Sequence, residues 1–154
     1  MNRQLIDRYA NGAEQLQQAV AGLNRSEMLA VPIPGKWSIQ QVVIHLADAE
    51  ASFADRIRRI IAMDGPVLLA WDENKFIQQL HYNQQSAEDA VAYVGIIRRQ
   101  TSRILRELPN EAFSRTGEHS EKGRQTLENV VSSAVNHMDH HLKFVAEKRL
   151  KLGK

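Results

Sequence analysis

Cysteine is absent from this 154-residue chain. No disulfide can brace the fold and no thiolate can hold a metal, so any metal ligand must be a nitrogen or an oxygen. Long hydrophobic runs are missing too. None approaches the roughly 20 apolar residues of a membrane-spanning helix. The opening MNRQLIDRYA has no apolar leader segment, so the expected location is cytoplasmic and no membrane partner is expected. An excess of one charge is also lacking: 20 basic residues face 18 acidic ones, for a net charge of +2. A nucleic-acid surface needs a concentrated basic stripe. The nearest groupings, Arg56, Arg58 and Arg59, then Arg98, Arg99 and Arg103, read as solvated helix faces, and no nucleic-acid partner is expected. There is no glycine-rich phosphate loop and no serine or cysteine nucleophile beside a base.

What is present is helical periodicity. Only four prolines and eight glycines occur, gathered between the periodic segments. Residues 3–22 form a first helix with Leu5, Tyr9, Leu16, Val20 and Leu23 as a patchy apolar stripe. VPIPGKW then interrupts it, because each proline removes a helical donor and disfavours helix just before it. Ser38 and Gln41 have the spacing of a capping box and open a second helix to about Met63, before Asp64-Gly65-Pro66. Its buried face carries Val42, His45, Leu46, Ala49, Phe53, Ile57 and Ile60. Residues 67–85 are less regular, with a short helix near 73–80. Ser86 and Asp89 start a third helix that ends at Pro109, with Ala90, Tyr93, Val94, Ile97, Ile104 and Leu108 inward. A polar connection over 109–125 leads to Thr126, which caps a last helix running to about Leu150. Strand signals are weak throughout. Four amphipathic helices over 1–154 predict one domain, an all-α four-helix bundle.

The last helix carries the chemical signal. Leu127, Val130, Ala134, His137, His141, Phe144 and Lys148 follow alternating steps of three and four, the pattern of a bundle seam. Two consecutive seam positions are histidine. A buried imidazole needs a partner, and neutral imidazole nitrogen is a good ligand for a divalent ion. Residues four apart stack on one face, so His137 and His141 can reach the same ion, and His45 lies on the buried stripe of the second helix. Ligands from facing helices are how bundle cores hold metals, and three leave a coordination position open. His140 competes geometrically for one of the ligand places but lies nearer the edge of the stripe. His81 and His119 fall in irregular segments, where surface positions are expected, although His119 could reach the mouth of the site. Asp48, one turn from His45, is a candidate to hold the second nitrogen of a ligand ring, as is Asp139.

Two segments resemble a known family. GKWSIQQVVIHLADAE, from Gly35 to Glu50, is similar to the second-helix motif of the DinB superfamily, the DinB/YfiT-like proteins, in which a Trp-Ser pair precedes a metal-binding histidine. NHMDHHLKFV, from Asn136 to Val145, resembles the final-helix motif with two histidines four apart. The likeness extends over residues 35–145. It implies an up-down-down-up bundle, often a homodimer, whose triad binds zinc, nickel or another divalent ion. It also implies the activities found among such proteins: S-transfer of a low-molecular-weight thiol to an electrophile, a thiol-dependent isomerisation, or metal-dependent hydrolysis. Relatives often have glutamine near the position of Phe144, and this chain departs from them there.

A cation on three neutral ligands keeps its full double charge and lowers the pKa of a bound water or thiol. The expected function is therefore a metal-dependent thiol S-transferase. The rivals are a metal-dependent hydrolase and a non-catalytic metal-binding regulatory bundle. Trp37, Trp71 and Arg56 are the candidates for contacting a thiol cofactor or substrate, each with an ordinary packing or snorkelling role as its alternative.

Overall fold

A computed structural model describes residues 2–154. The helices in chain order are α1 (Asn2–Val20), α2 (Arg25–Leu29), α3 (Ile39–Ala62), α4 (Glu73–Gln79), α5 (Ala87–Glu107) and α6 (Leu127–Lys151). Three of the long ones begin where side-chain chemistry says they should. Ser38 Oγ accepts the Gln41 N–H while the Gln41 side chain accepts the Ser38 N–H. Thr126 and Asn129 repeat that exchange at the start of α6, and Ser86 Oγ accepts the Asp89 N–H at the start of α5. These bonds satisfy backbone donors that the first helical turn leaves free.

Long-range contacts set the helix directions. Arg149, near the end of α6, donates to the carbonyls of Ala19 and Ala21 at the end of α1, so these two helices run the same way. Gln40, at the start of α3, donates to the Gln85 carbonyl just before α5, and Glu50 meets Arg98 half-way along, so α3 and α5 are also parallel. Arg106 in α5 pairs with Asp7 in α1, which makes those two antiparallel. The bundle is up-down-down-up.

Two successive parallel helices need a connection that travels back along the bundle. Residues 63–86 provide it, through the short strand β1 (Val67–Leu68), α4 and a 3₁₀ turn at Tyr82–Gln84. β1 pairs in parallel with β2 (Thr116–His119), which pairs antiparallel with β3 (Gly123–Thr126). The polar connection before α6 is thus a small hairpin and not an open loop. Strands of two and four residues are too short to show an alternating pattern.

The apolar core has two parts, one around Leu16, Ile39, Val43, Leu46 and Val94, the other around Ile6, Ile57, Ile60, Leu105 and Val131. A buried polar layer accompanies them. Arg98, 1% exposed, bonds the Glu50 carboxylate at 2.8 Å, the Tyr9 carbonyl at 2.8 Å and the Ala134 carbonyl at 3.1 Å. The Tyr9 hydroxyl donates to Glu50. One guanidinium therefore touches all four long helices. Gly12 makes room for it, since a Cβ there would lie 2.1 Å from Arg98 Nη1.

This layer corrects the inward face expected for the third helix. α5 buries Ala90, Val94, Arg98, Thr101, Ser102 and Leu105, whereas Tyr93 and Ile104 are 44% and 38% exposed. The helix is rotated to deliver an arginine to a carboxylate on α3. Hydrophobic periodicity cannot register such a pairing. No helix among the described residues is long and apolar enough to cross a membrane.

Candidate metal centre

His45 sits in the second turn of α3, anchored by the Ser38 cap, and is 0% exposed. His137 and His141 project from consecutive turns of α6, which runs antiparallel to α3. The three rings offer ligand atoms that all lie within 4.8 Å of one another. His45 Nε2 and His137 Nε2 are 3.0 Å apart, and the ring centroids are 4.5 to 5.0 Å apart. Zinc–imidazole bonds are about 2.0–2.1 Å long, so nitrogens at such separations match the span of one ion.

The electrostatics favour ligands over charged groups. Burial first, then His141, pushes the His45 imidazole down to about 3. Burial, with His141 and His45 next, pushes His137 to about 3. Burial, with His140 and Lys148 next, pushes His141 to about 4. All three rings are neutral near pH 7, the form in which imidazole nitrogen has a lone pair to give. His45 Nδ1 and His141 Nδ1 are buried without a hydrogen-bond partner. Neutral rings with unspent nitrogens in an apolar interior are a poor structural element and a good donor set. The residues fit a divalent cation.

The walls are aromatic. Trp37 lies edge-on to His45 at 5.0 Å and stacks over His141 at 6.2 Å. Trp71 is 5.5 Å from His45, and Phe53 meets His137 edge-on at 5.7 Å. Beside the rings opens a cavity of about 560 Å³ whose lining includes Trp37, Glu73, His140, Phe144 and Lys148. Glu73 was not anticipated from the sequence. Its Oε2 is 3.8 Å from His45 Nε2, and its side chain stays half exposed. Asp72, which caps α4 by accepting the Asn74 and Lys75 N–H groups, sets the turn that points Glu73 at the triad.

The other expected residues are placed as follows. Asp48 does not hold a histidine: its carboxylate accepts the Tyr82 hydroxyl at 2.5 Å, while His45 Nδ1 has no partner. Asp139 pairs with Arg8 at 2.9 Å on the surface. Arg56 donates to the Leu69 carbonyl and lines a second cavity together with Trp71 and Phe76, and it is not among the residues lining the cavity beside the triad. His140 is exposed, packs edge-on against Phe144 and does not share the cluster. His81 is exposed at a left-handed position. His119 corrects a surface expectation: it is 6% exposed, and its Nδ1 accepts the Glu121 and Lys122 N–H groups in the β2–β3 turn.

A four-helix bundle of this topology with three converging histidines defines a metal-site bundle. The chain belongs to the DinB superfamily, which it matches over residues 8–145. It is 26% identical over 140 residues to YfiT of Bacillus subtilis, covering 90% of this chain and 79% of that protein. It is 25% identical over 142 residues to OB0782 of Oceanobacillus iheyensis, covering 90% and 82%. Both relatives carry names that provisionally assign them to the metal-dependent hydrolases. The solved structure of Bacillus subtilis YfiT, described as having an unusual four-helix bundle topology, superposes with a TM-score of 0.92. That match has 24% identity and covers 99% of this chain and 87% of the other.

Proposed function

We propose that this chain is a divalent-metal-dependent enzyme, with His45, His137 and His141 as the ligands, that joins a low-molecular-weight thiol to an electrophile. The observation that carries the reading is the neutral triad opening onto a cavity of about 560 Å³ with a free carboxylate at its edge. Zinc or nickel suits an all-imidazole set. When bound, such a cation acidifies a coordinated thiol or water. Glu73, half exposed and 3.8 Å from His45, takes the proton that the nucleophile gives up and passes it to solvent. Trp37 and Phe144 cover the reacting pair with apolar surface and keep bulk water from it. The sulfur lone pair then forms the bond to the electrophilic carbon, and the leaving group departs with the bonding pair.

Hydrolysis at the same site is the second reading, favoured by the names of the relatives. It replaces the thiol by water and leaves the residue roles unchanged. The test is a panel on metal-loaded protein: several small thiols with a chromogenic electrophile, beside ester and amide substrates. Thiol-dependent turnover supports the first reading; turnover of esters or amides without thiol replaces it with the second. His137→Ala should lose most metal affinity while keeping its helix content. A full metal equivalent in that variant refutes the ligand assignment.

A further inference from the structure

Lys148 is the residue that neither the fold nor the proposed chemistry uses. It occupies a seam position of α6 at which an apolar side chain would be expected, and it is 3% exposed. Its stem is buried while Nζ is not sealed off, so the packing delivers the ammonium to the cavity. Among the described residues no carboxylate lies within ion-pair distance of its Nζ. Its Nζ lies 5.4 Å from the centroid of the Phe144 ring. The side chain lines the same cavity as His137 and His141, and Lys36, from the loop before α3, lines it too. Burial lowers the Lys148 ammonium from its ordinary pKa; Glu147 draws it back up and Lys36 pushes it further down. Lys36, Glu147 and Lys148 thus line one part of the cavity, where Glu147 offsets part of the positive charge without forming an ion pair with Lys148 and a net positive charge remains for an arriving anion.

His141 and Lys148 are seven residues apart on one stripe, two turns or about 10 Å along the axis. Phe144 lies between them, and Trp37 stacks over His141. The cavity therefore presents a metal triad at one end, an aromatic middle and ammonium groups at the other. Of the two acids in the lining, Glu73 is 3.8 Å from His45 and Glu147 precedes Lys148 in the chain, and neither forms an ion pair with Lys148.

We infer that Lys148, assisted by Lys36, is the anchor for an oxyanion on the substrate or thiol, so that the molecules this site takes are carboxylate- or phosphate-bearing, with an apolar body beside Phe144 between the anion and the reacting atom. The inference deepens the function proposed above and rests on the same cavity, but not on the identity of the reaction. Lysine serves either oxyanion as a point charge, without the planar selectivity of arginine.

The test is direct binding, read by tryptophan fluorescence and calorimetry on the full chain, both zinc-loaded and chelated. The probes are 4-phenylbutyrate, 4-phenylbutyl phosphate and the neutral 4-phenylbutanol. Both anions should bind the parent protein at least about tenfold more tightly than the alcohol, the scale of one charge-assisted hydrogen bond. Lys148→Met should abolish that preference, Lys148→Arg should keep most of it, and Lys36→Met should reduce it. Carboxylate and phosphate together support a general oxyanion anchor, and a preference for one of them narrows the class. Equal binding of anion and alcohol by the parent protein overturns the proposal, as does a preference that survives Lys148→Met. If Lys148→Met does not fold, the parent's selectivity and the Lys148→Arg and Lys36→Met proteins decide. Metal content is measured on every sample. A parent protein without metal but with the anion preference would sink only the metal reading, and full metal without the preference would sink only this one.

Discussion

Acid should unfold the metal-free protein well before its carboxylates titrate, and the triad should be the cause. In the folded chain burial holds His45, His137 and His141 at about 3, about 3 and about 4, whereas an unfolded histidine titrates near 6.5. The folded pKa values are depressed, so below about pH 6.5 the unfolded chain binds more protons and stability falls with falling pH. The loss starts near 6.5 and continues down to about 4 for His141 and about 3 for the other two. Between about pH 7 and about pH 5.5 the uptake by each unfolded imidazole is worth about 1.2 kcal/mol, or roughly 4 kcal/mol for three. That is a large part of the stability of an ordinary domain, which is about 5–15 kcal/mol. Urea unfolding with chelator across this interval measures it. A variant with all three changed to glutamine serves as reference and cancels the contribution of His119, which burial also lowers. If the parent and the reference lose stability equally over the interval, the rings are not buried as neutral groups and the ligand argument fails. Adding zinc to the parent should raise stability by a nearly constant amount across this interval without changing its pH slope, because the cation binds folded rings that are already deprotonated while the unfolded chain takes up protons as before.

Two further predictions concern the polar layer. Glu50→Gln removes the charge opposite Arg98 and should cost about 3–5 kcal/mol in urea unfolding, whereas Glu50→Leu combined with Arg98→Met should recover much of that loss; equal losses in the two proteins would refute the pairing. Gly12→Ala places a methyl group 2.1 Å from Arg98 Nη1 and should cost on the order of 1–3 kcal/mol, with the penalty shrinking in an Arg98→Met background. A thermal melt of the four proteins checks this, and an undiminished penalty would show that the close approach is not to Arg98.

The parts of this molecule legible in the sequence are those written in local rules. The caps at Ser38, Ser86 and Thr126 depend on residues three apart, and each forms. The triad was legible because histidine is conspicuous on an apolar stripe, whatever the tertiary arrangement. Glu73 was not. It lies on a seven-residue helix, half exposed, and only the return of the 63–86 segment along the bundle gives it a neighbour 28 residues earlier. The buried face of α5 escapes the sequence for a related reason: Arg98 reads as a solvated arginine until Glu50, 48 residues away, is placed opposite it. Asp48 shows the converse, a residue at tempting local spacing whose hydroxyl partner, Tyr82, comes from the 3₁₀ turn. Charge pairs and loop-borne groups carry no period, so a reading based on periods passes over them.

The topology connects these observations. Because α3 and α5 are parallel, the chain must cross back between them, and that crossing brings Trp71 to 5.5 Å from His45 and Glu73 to 3.8 Å. The three histidines themselves sit on α3 and α6, which the Arg98 layer ties together: Arg98 bonds Glu50, five residues after His45, and the Ala134 carbonyl, three residues before His137. A slide or rotation of α6 against α3 would break a buried charged hydrogen bond before it displaced an imidazole, and such a break is expensive. Rigid helices thus hold the donors in place, while the crossing segment supplies the exposed carboxylate and an aromatic wall. Leu68 and Tyr82 pin residues 63–86 into the core, so Trp71 and Glu73 stand at the triad on a segment that is itself anchored to the bundle.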